Sequence, residues 1–133
     1  MQETTNPLNI WHRTVLDNDP SDLYDILDDS FKFYSPAVFK SKEKYMGYIY
    51  LLAAGQSFLT SDFRYTRQLV DDHQAVLEFE CTMDGVTVNG IDMFKWNENN
   101  KLIEMKVMIR TEKALEAVKQ EMTKHLSNPE VWR

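Results

Sequence analysis

The stretch Gly90 to Arg110, GIDMFKWNENNKLIEMKVMIR, constrains the fold more than any other part of the chain, because it reads as two long strands joined by a tight turn. By the two-residue period of a strand, Val86, Val88, Gly90, Asp92, Phe94 and Trp96 share one face, and that face is apolar except at Asp92. The run Asn97, Glu98, Asn99, Asn100 supplies the turn, since asparagine tolerates left-handed backbone angles. On the return strand Ile103, Met105, Val107 and Ile109 are expected to face one way, and Glu104, Lys106, Met108 and Arg110 the other. A sheet with one face on a core and one face wet has this pattern. Asp92 is therefore expected to point into an apolar interior, where loss of hydration penalises its charged form.

The rest of the chain supplies elements to pack against that hairpin. Asn6 and Pro7 form a helix start, after which Leu8, Trp11, His12, Val15 and Leu16 fall on one helical face. Asp19 and Pro20 signal a second helix, with Leu23, Ile26 and Leu27 inward and an end at Asp28 and Asp29; it is expected to pack on the first as a hairpin. Phe31, Phe33 and Ser35 alternate along a short strand stopped by Pro36. Ser41 caps a third helix with Tyr45, Tyr48, Ile49, Leu52 and Ala53 as its stripe and Gly55 near its end. From Phe63 the chain reads as β: Phe63, Tyr65, Arg67 and Leu69 share a face, Asp71 to His73 turn, and Ala75, Leu77, Phe79 and Cys81 share the next inward face. Asp84 and Gly85 mark a hairpin. Thr111 caps a last helix with Leu115, Val118 and Met122 inward, and the tail from Ser127 is expected to be loose. The layout is α+β, a single domain over residues 1–133, with helices segregated onto one face of a curved antiparallel sheet.

Composition narrows the classes of function. The formal charge of -6 comes with no basic run, which argues against a nucleic-acid partner. The longest apolar run, around Tyr48 to Ala54, is too short to span a bilayer, so no membrane partner is expected. Cys81 is the one cysteine and the N-terminus carries no secretory pattern, so a cytoplasmic location is the default. His12, His73 and His125 lack metal-ligand spacing; neither metal nor cofactor is expected.

Three segments carry a resemblance: the early helix ending near Leu16, LDDSFKFYSP at Leu27 to Pro36, and IDMFKWNENNKLIEM at Ile91 to Met105. Together they resemble the nuclear transport factor 2-like superfamily in its SnoaL-like and ketosteroid isomerase-like branch. The resemblance implies a cone-shaped curved sheet wrapped with helices around a deep apolar pocket, and homodimers formed through the outer sheet face. Functions in that superfamily range from isomerases, dehydratases, epoxide hydrolases and polyketide cyclases to modules without chemistry. In the isomerases a protonated Asp and a Tyr form an oxyanion hole while a second Asp shuttles the proton. Asp92 matches the protonated acid, His12 falls where the Tyr stands, and Ser35 falls where the shuttling Asp stands. A serine hydroxyl is not a general base at neutral pH, so Ser35 departs from the isomerase pattern. The inward residues Met105, Val107 and Ile109 likewise depart from the acid-bearing last strand of the epoxide hydrolases.

The candidate catalytic residues are thus Asp92 and His12, and the candidate ligand-binding residues Ser35, Tyr48, Phe79, Phe94, Trp96 and Met105. Each has a plainer reading. Asp92 could be a structural acid bonded to His12 or a tyrosine, Ser35 could satisfy a backbone group before Pro36, and apolar stripes are more often core than binding site. The function expected is a pocket for a small, mostly hydrophobic molecule, with cofactor-free isomerase, dehydratase or cyclase chemistry. The alternative is a non-catalytic ligand-binding or dimerisation module.

Overall fold

A computed structural model describes residues 6–126. Helix α1 spans Pro7–Leu16, and a single 3-10 turn at Tyr24–Ile26 leads into strand β1, Leu27–Tyr34. Helix α2 spans Lys44–Leu59, followed by β2 (Arg64–Asp71), β3 (Gln74–Met83), β4 (Val86–Trp96), β5 (Leu102–Arg110) and helix α3 (Glu112–Thr123). The five strands form one sheet in the order β1-β5-β4-β3-β2. The α+β class is as expected, but β1 lies parallel to β5 while every other pair is antiparallel, so the sheet is mixed.

The hairpins follow from local chemistry. Asp84 and Gly85 both take positive φ, 51° and 77°, as the two central residues of a tight β3–β4 turn. At the β4–β5 end Asn100 takes φ 60°, and the Asn97 side chain accepts hydrogen bonds from the backbone N–H groups of Asn99 and Lys101. Asp92 is paired with Leu77 on β3 and Val107 on β5, in the middle of the sheet.

Two bulges change which side chains face inward. On β2, Tyr65 opposes Phe79 but Arg67 opposes Glu78, so Thr66 is an extra residue and every later side chain switches face. Arg67 and Leu69 consequently lie on the outer face, whereas strict alternation put them with Phe63 and Tyr65. On β5, Glu104 opposes Lys95 but Leu102 opposes Trp96, which makes Ile103 the extra residue and Leu102 the fully buried one.

The helices depart further. The second helix expected after Pro20 is a turn and one 3-10 turn, because Leu27 already pairs with Leu102 in the sheet; no helical hairpin forms there. The N-cap of α2 is Glu43, not Ser41, since Lys42 is held in a bridge to Phe33. Gly55 lies inside that helix rather than at its end. The buried face of α2 is Gly47, Tyr50, Leu51, Ala54 and Phe58, while Tyr45 is exposed. The segment is apolar almost all round, so its sequence alone carries no helical phase. Gly47 lets α2 close onto β1: a Cβ there would stand 2.8 Å from the Phe31 ring.

Asn6 caps α1 as expected, its side chain accepting from the Leu8 N–H at 2.8 Å. The helix buries Leu8, Ile10, Trp11, Thr14 and Val15; Leu16 is exposed. The core between helices and sheet includes Trp11, Phe31, Tyr50, Leu77, Phe79, Phe94 and Met105, each nearly or fully buried. Each such side chain contributes about 1.5–3 kcal/mol of burial. Helix α3 packs over β3, β4 and β5 and against α2. The tail from Ser127 lies outside the described residues. No described helix is long and apolar enough to cross a membrane.

Candidate functional site

Asp92 is 1% exposed, and its carboxyl is reached by a short chain of hydrogen bonds from α1. The Trp11 indole N–H donates to the Tyr65 hydroxyl at 2.7 Å, and that hydroxyl donates to Asp92 Oδ2 at 2.8 Å. Burial pushes the Asp92 carboxyl up to about 7, although hydrogen bonding from Tyr65 and Trp11 pulls the other way. The same burial, together with the neighbouring Asp92 charge, pushes the Tyr65 phenol well above its ordinary value. Tyr65 therefore stays a donor, and Asp92 populates both its protonated and ionised forms near neutral pH.

Asp92 also lines a partly open cavity of about 30 Å³ between the sheet and the helices, enough for one or two waters. Met105, Val107 and Ile109 form its sheet side, Trp11, Tyr50, Leu51, Ala54 and Phe58 its helix side, and Phe33, Ser35, Pro36 and Ala37 the exit of β1. Helix α3 covers it with Leu115, Val118, Lys119 and Met122, the i, i+3, i+4, i+7 stripe of one helical face. Burial raises the Tyr50 phenol on this wall to about 12, so it too remains protonated.

Of the residues singled out in the sequence, Asp92, Ser35 and Met105 come together on this cavity. Ser35 stands one residue past β1, and its Oγ accepts from the backbone N–H groups of Ala37 at 3.2 Å and Val38 at 2.9 Å. Its oxygen thus holds the turn at Pro36, while its O–H proton is left to donate. His12 does not line the cavity. It follows Trp11 by one position, its ring centroid is 5.4 Å from that of Tyr65, and its Nε2 is buried with no hydrogen-bond partner. Burial lowers the His12 pKa, favouring the neutral ring.

The remaining aromatic candidates lie elsewhere. Tyr48 is half-buried with its ring edge-on to Tyr24 at 4.9 Å and does not line the cavity. Phe79 packs with Phe58 and Phe63, the Phe94 ring lies 6.2 Å from that of Trp11, and Trp96 meets His73 edge-on. Phe79, Phe94 and Trp96 are buried core residues that do not line the cavity.

Sequence reasoning assigned no site role to three side chains with a place in this arrangement, although its alternative of an Asp92 bonded to a tyrosine is what the structure shows. Tyr65, not His12, bonds Asp92, and Trp11 rather than His12 donates to the Tyr65 hydroxyl, while the His12 ring only packs near Tyr65. Tyr65, an inward aromatic with a polar tip, is the kind of residue that finds a buried partner. Lys119 completes the stripe Leu115, Val118, Met122, where a cation on an otherwise apolar helical face was a visible anomaly. Among the described residues no cluster of His, Cys, Asp or Glu could hold a metal ion.

Chemically, a protonated Asp92 can donate to a ligand oxygen and an ionised one can accept from a ligand proton, with Tyr65 holding the carboxyl in either form.

No sequence profile of a known family and no curated protein matches the chain. Solved structures do. A steroid delta-isomerase from Pseudomonas aeruginosa superposes with a TM-score of 0.81 at 28% identity, covering 96% of this chain and 93% of the isomerase. A nuclear transport factor 2-like protein of unknown function from Mesorhizobium loti superposes with a TM-score of 0.70 at 12% identity, over 83% of this chain and 93% of that one. A Jannaschia sp. CCS1 protein classed as a SnoaL-like polyketide cyclase gives 0.66 at 13% identity, over 88% and 91%. With its five-stranded mixed sheet and three helices, the chain has the fold of these nuclear transport factor 2-like, SnoaL-like and isomerase structures.

Proposed function

We propose that this chain binds a small, mostly apolar, oxygen-bearing molecule in the cavity under α3, with Asp92 meeting the ligand oxygen. The observation that carries this reading is a buried carboxyl with a pKa near 7, placed on an apolar cavity and already anchored through Tyr65 to Trp11. A buried acid kept only to hold the fold has no need of an adjoining space. Ligand sites usually enclose about 300–1,000 Å³. Binding therefore displaces α3 side chains such as Leu115 and the adaptable Met122.

Acid/base turnover is the second reading, favoured by Asp92 titrating near neutrality and by the likeness to a steroid delta-isomerase. On that reading Asp92 stabilises negative charge developing on a carbonyl oxygen during enolisation. Ser35 weakens it, because the hydroxyl there is engaged with the backbone and has no basicity to take the proton. Binding without turnover is the simpler function for this set of side chains.

The outer sheet face, with Leu69, Val76, Ile91 and Met108 between the charged Arg67, Glu78 and Arg110, suits a homodimer contact. Sedimentation at micromolar concentration tests it, and a monomer would refute it. The single thiol, Cys81, is buried and raised to about 12 by that burial, which keeps it unreactive; the cytoplasmic location proposed rests only on the chain's single cysteine.

Calorimetric titration with 2-acetylnaphthalene, whose ketone only accepts hydrogen bonds, tests the site. Binding is expected to weaken as pH rises past about 7, when Asp92 loses the proton it donates. Asp92→Asn should abolish that pH dependence. Absence of binding at pH 6, or the same pH profile in the variant, would leave the fold as a module without this site.

A further inference from the structure

Lys119 is out of place on α3. The helix covers the cavity with Leu115, Val118, Lys119 and Met122, and only Lys119 carries a charge. Among the described residues it is also the one cation lining the cavity, whose other wall residues are apolar or neutral apart from Asp92. A lysine on a cavity wall is usually neutralised by a neighbouring acid. Here Glu116, one turn earlier on the same helix, makes no ion pair with it, Glu121 binds Lys124 at 3.2 Å, and no described acid pairs with Lys119. Lys119 is only partly exposed, its aliphatic stem packs on the cavity, and its ammonium meets no anion among the described residues.

Two side chains of different character thus line one apolar space: Asp92 on the sheet, whose carboxyl keeps a share of its neutral form at neutral pH, and Lys119 on the covering helix, which meets the space with its stem and carries an ammonium unpaired among the described residues. A ligand matched to both has an apolar body, an uncharged oxygen at one end and an anionic group at the other. We infer that the ligand of this cavity is an amphipathic monocarboxylate, whose keto or hydroxyl oxygen meets Asp92 and whose carboxylate pairs with Lys119. This rests on the cavity being a ligand site and adds to it the ligand's charge. Lys119 is on this view a specificity-determining residue, since it discriminates between a carboxylate and its neutral derivative. The overall charge of -6 sharpens the point, because an anion entering a protein of like sign needs a local cation.

The test compares 6-acetyl-2-naphthoate with its methyl ester and with 2-acetylnaphthalene, by calorimetry at pH 6 and low ionic strength. The carboxylate is expected to bind about fivefold more tightly than its ester, the measure of one partly exposed ion pair. The preference should shrink as salt is raised. Lys119→Met, which keeps the stem but not the charge, should bring the carboxylate-to-ester ratio to about one, and Lys119→Arg should retain it. Equal affinity for carboxylate and ester in the wild type, or a preference that survives Lys119→Met, overturns the assignment of Lys119. If 2-acetylnaphthalene binds in a manner sensitive to Asp92 while that preference is missing, only the assignment of Lys119 falls. If none of the three compounds binds, the ligand site itself falls with it.

Discussion

Replacing Asp92 with Asn should make this protein more stable at alkaline pH, and the size of the gain follows from the burial of the carboxyl. Burial raises its pKa from an ordinary 3.8 to about 7. A group whose folded-state pKa is raised retains its proton in the folded state after the unfolded chain has lost it. The folded state then binds more protons, so stability falls as pH rises from about 4 to about 7 and is level beyond. A rise of about three pH units at roughly 1.4 kcal/mol each comes to about 4 kcal/mol. Asparagine is nearly isosteric and its carbonyl oxygen still accepts from Tyr65, but it never ionises. Below pH 4 the two proteins should therefore have nearly equal stability, and at pH 8.5 the variant should lead by about 4 kcal/mol. His12 acts in the opposite sense: its lowered pKa favours folding while the ring is neutral, and that contribution is lost as pH falls below about 6.5. Because His12 is present in both proteins, it cancels from their difference. Urea denaturation of both proteins at pH 4, 6 and 8.5 measures the gap. A difference that stays within about 1 kcal/mol across that range, or an Asp92 carboxyl carbon titrating near pH 4 by NMR, would refute the argument.

Two further substitutions probe the surroundings of the site. Tyr65→Phe removes the donor to Asp92 and the acceptor of the Trp11 N–H; it should cost about 1–3 kcal/mol and raise the Asp92 pKa further, with denaturation and carboxyl NMR as the readouts. A fall in that pKa would contradict the role given to the hydrogen bond. Gly90→Ala places a Cβ against the Phe79 ring and 2.8 Å from the Met108 carbonyl oxygen, an overpacking that should cost about 1–3 kcal/mol. Thermal melting checks this, and an unchanged melting temperature would mean that β4 can move away from β5 at little cost.

Much of the fold was legible because it is local. Asn6 with Pro7, Asp84 with Gly85 and the asparagines of the β4–β5 turn have few conformations open to them, and the period of two along β3 and β4 follows from the pleat. Less was legible wherever one residue changes the count. The extra residues Thr66 and Ile103 look like any other strand residues, yet each bulge reverses the faces beyond it. Bulges are chosen by how a strand must bend over the core, and that information sits in the partner strands. The segment Leu23 to Leu27 fits a helical stripe, but the parallel pairing of Leu27 with Leu102 draws it into the sheet from 75 positions away.

The candidate site divides along the same line. The sequence by itself determined that an acid, Asp92, stands on an apolar strand face, because alternation along one strand needs no knowledge of its neighbours. Only the tertiary structure decided what the acid meets. Trp11 and His12 are adjacent on a helix and differ by about 100° in direction, so the roll of α1 against the sheet selects Trp11 and, through it, Tyr65. Likewise, α3 must lie across the sheet before Lys119 is seen to cover the same cavity. Periodicity names the face of an element, whereas the distance between two faces is set by packing among elements far apart in the chain.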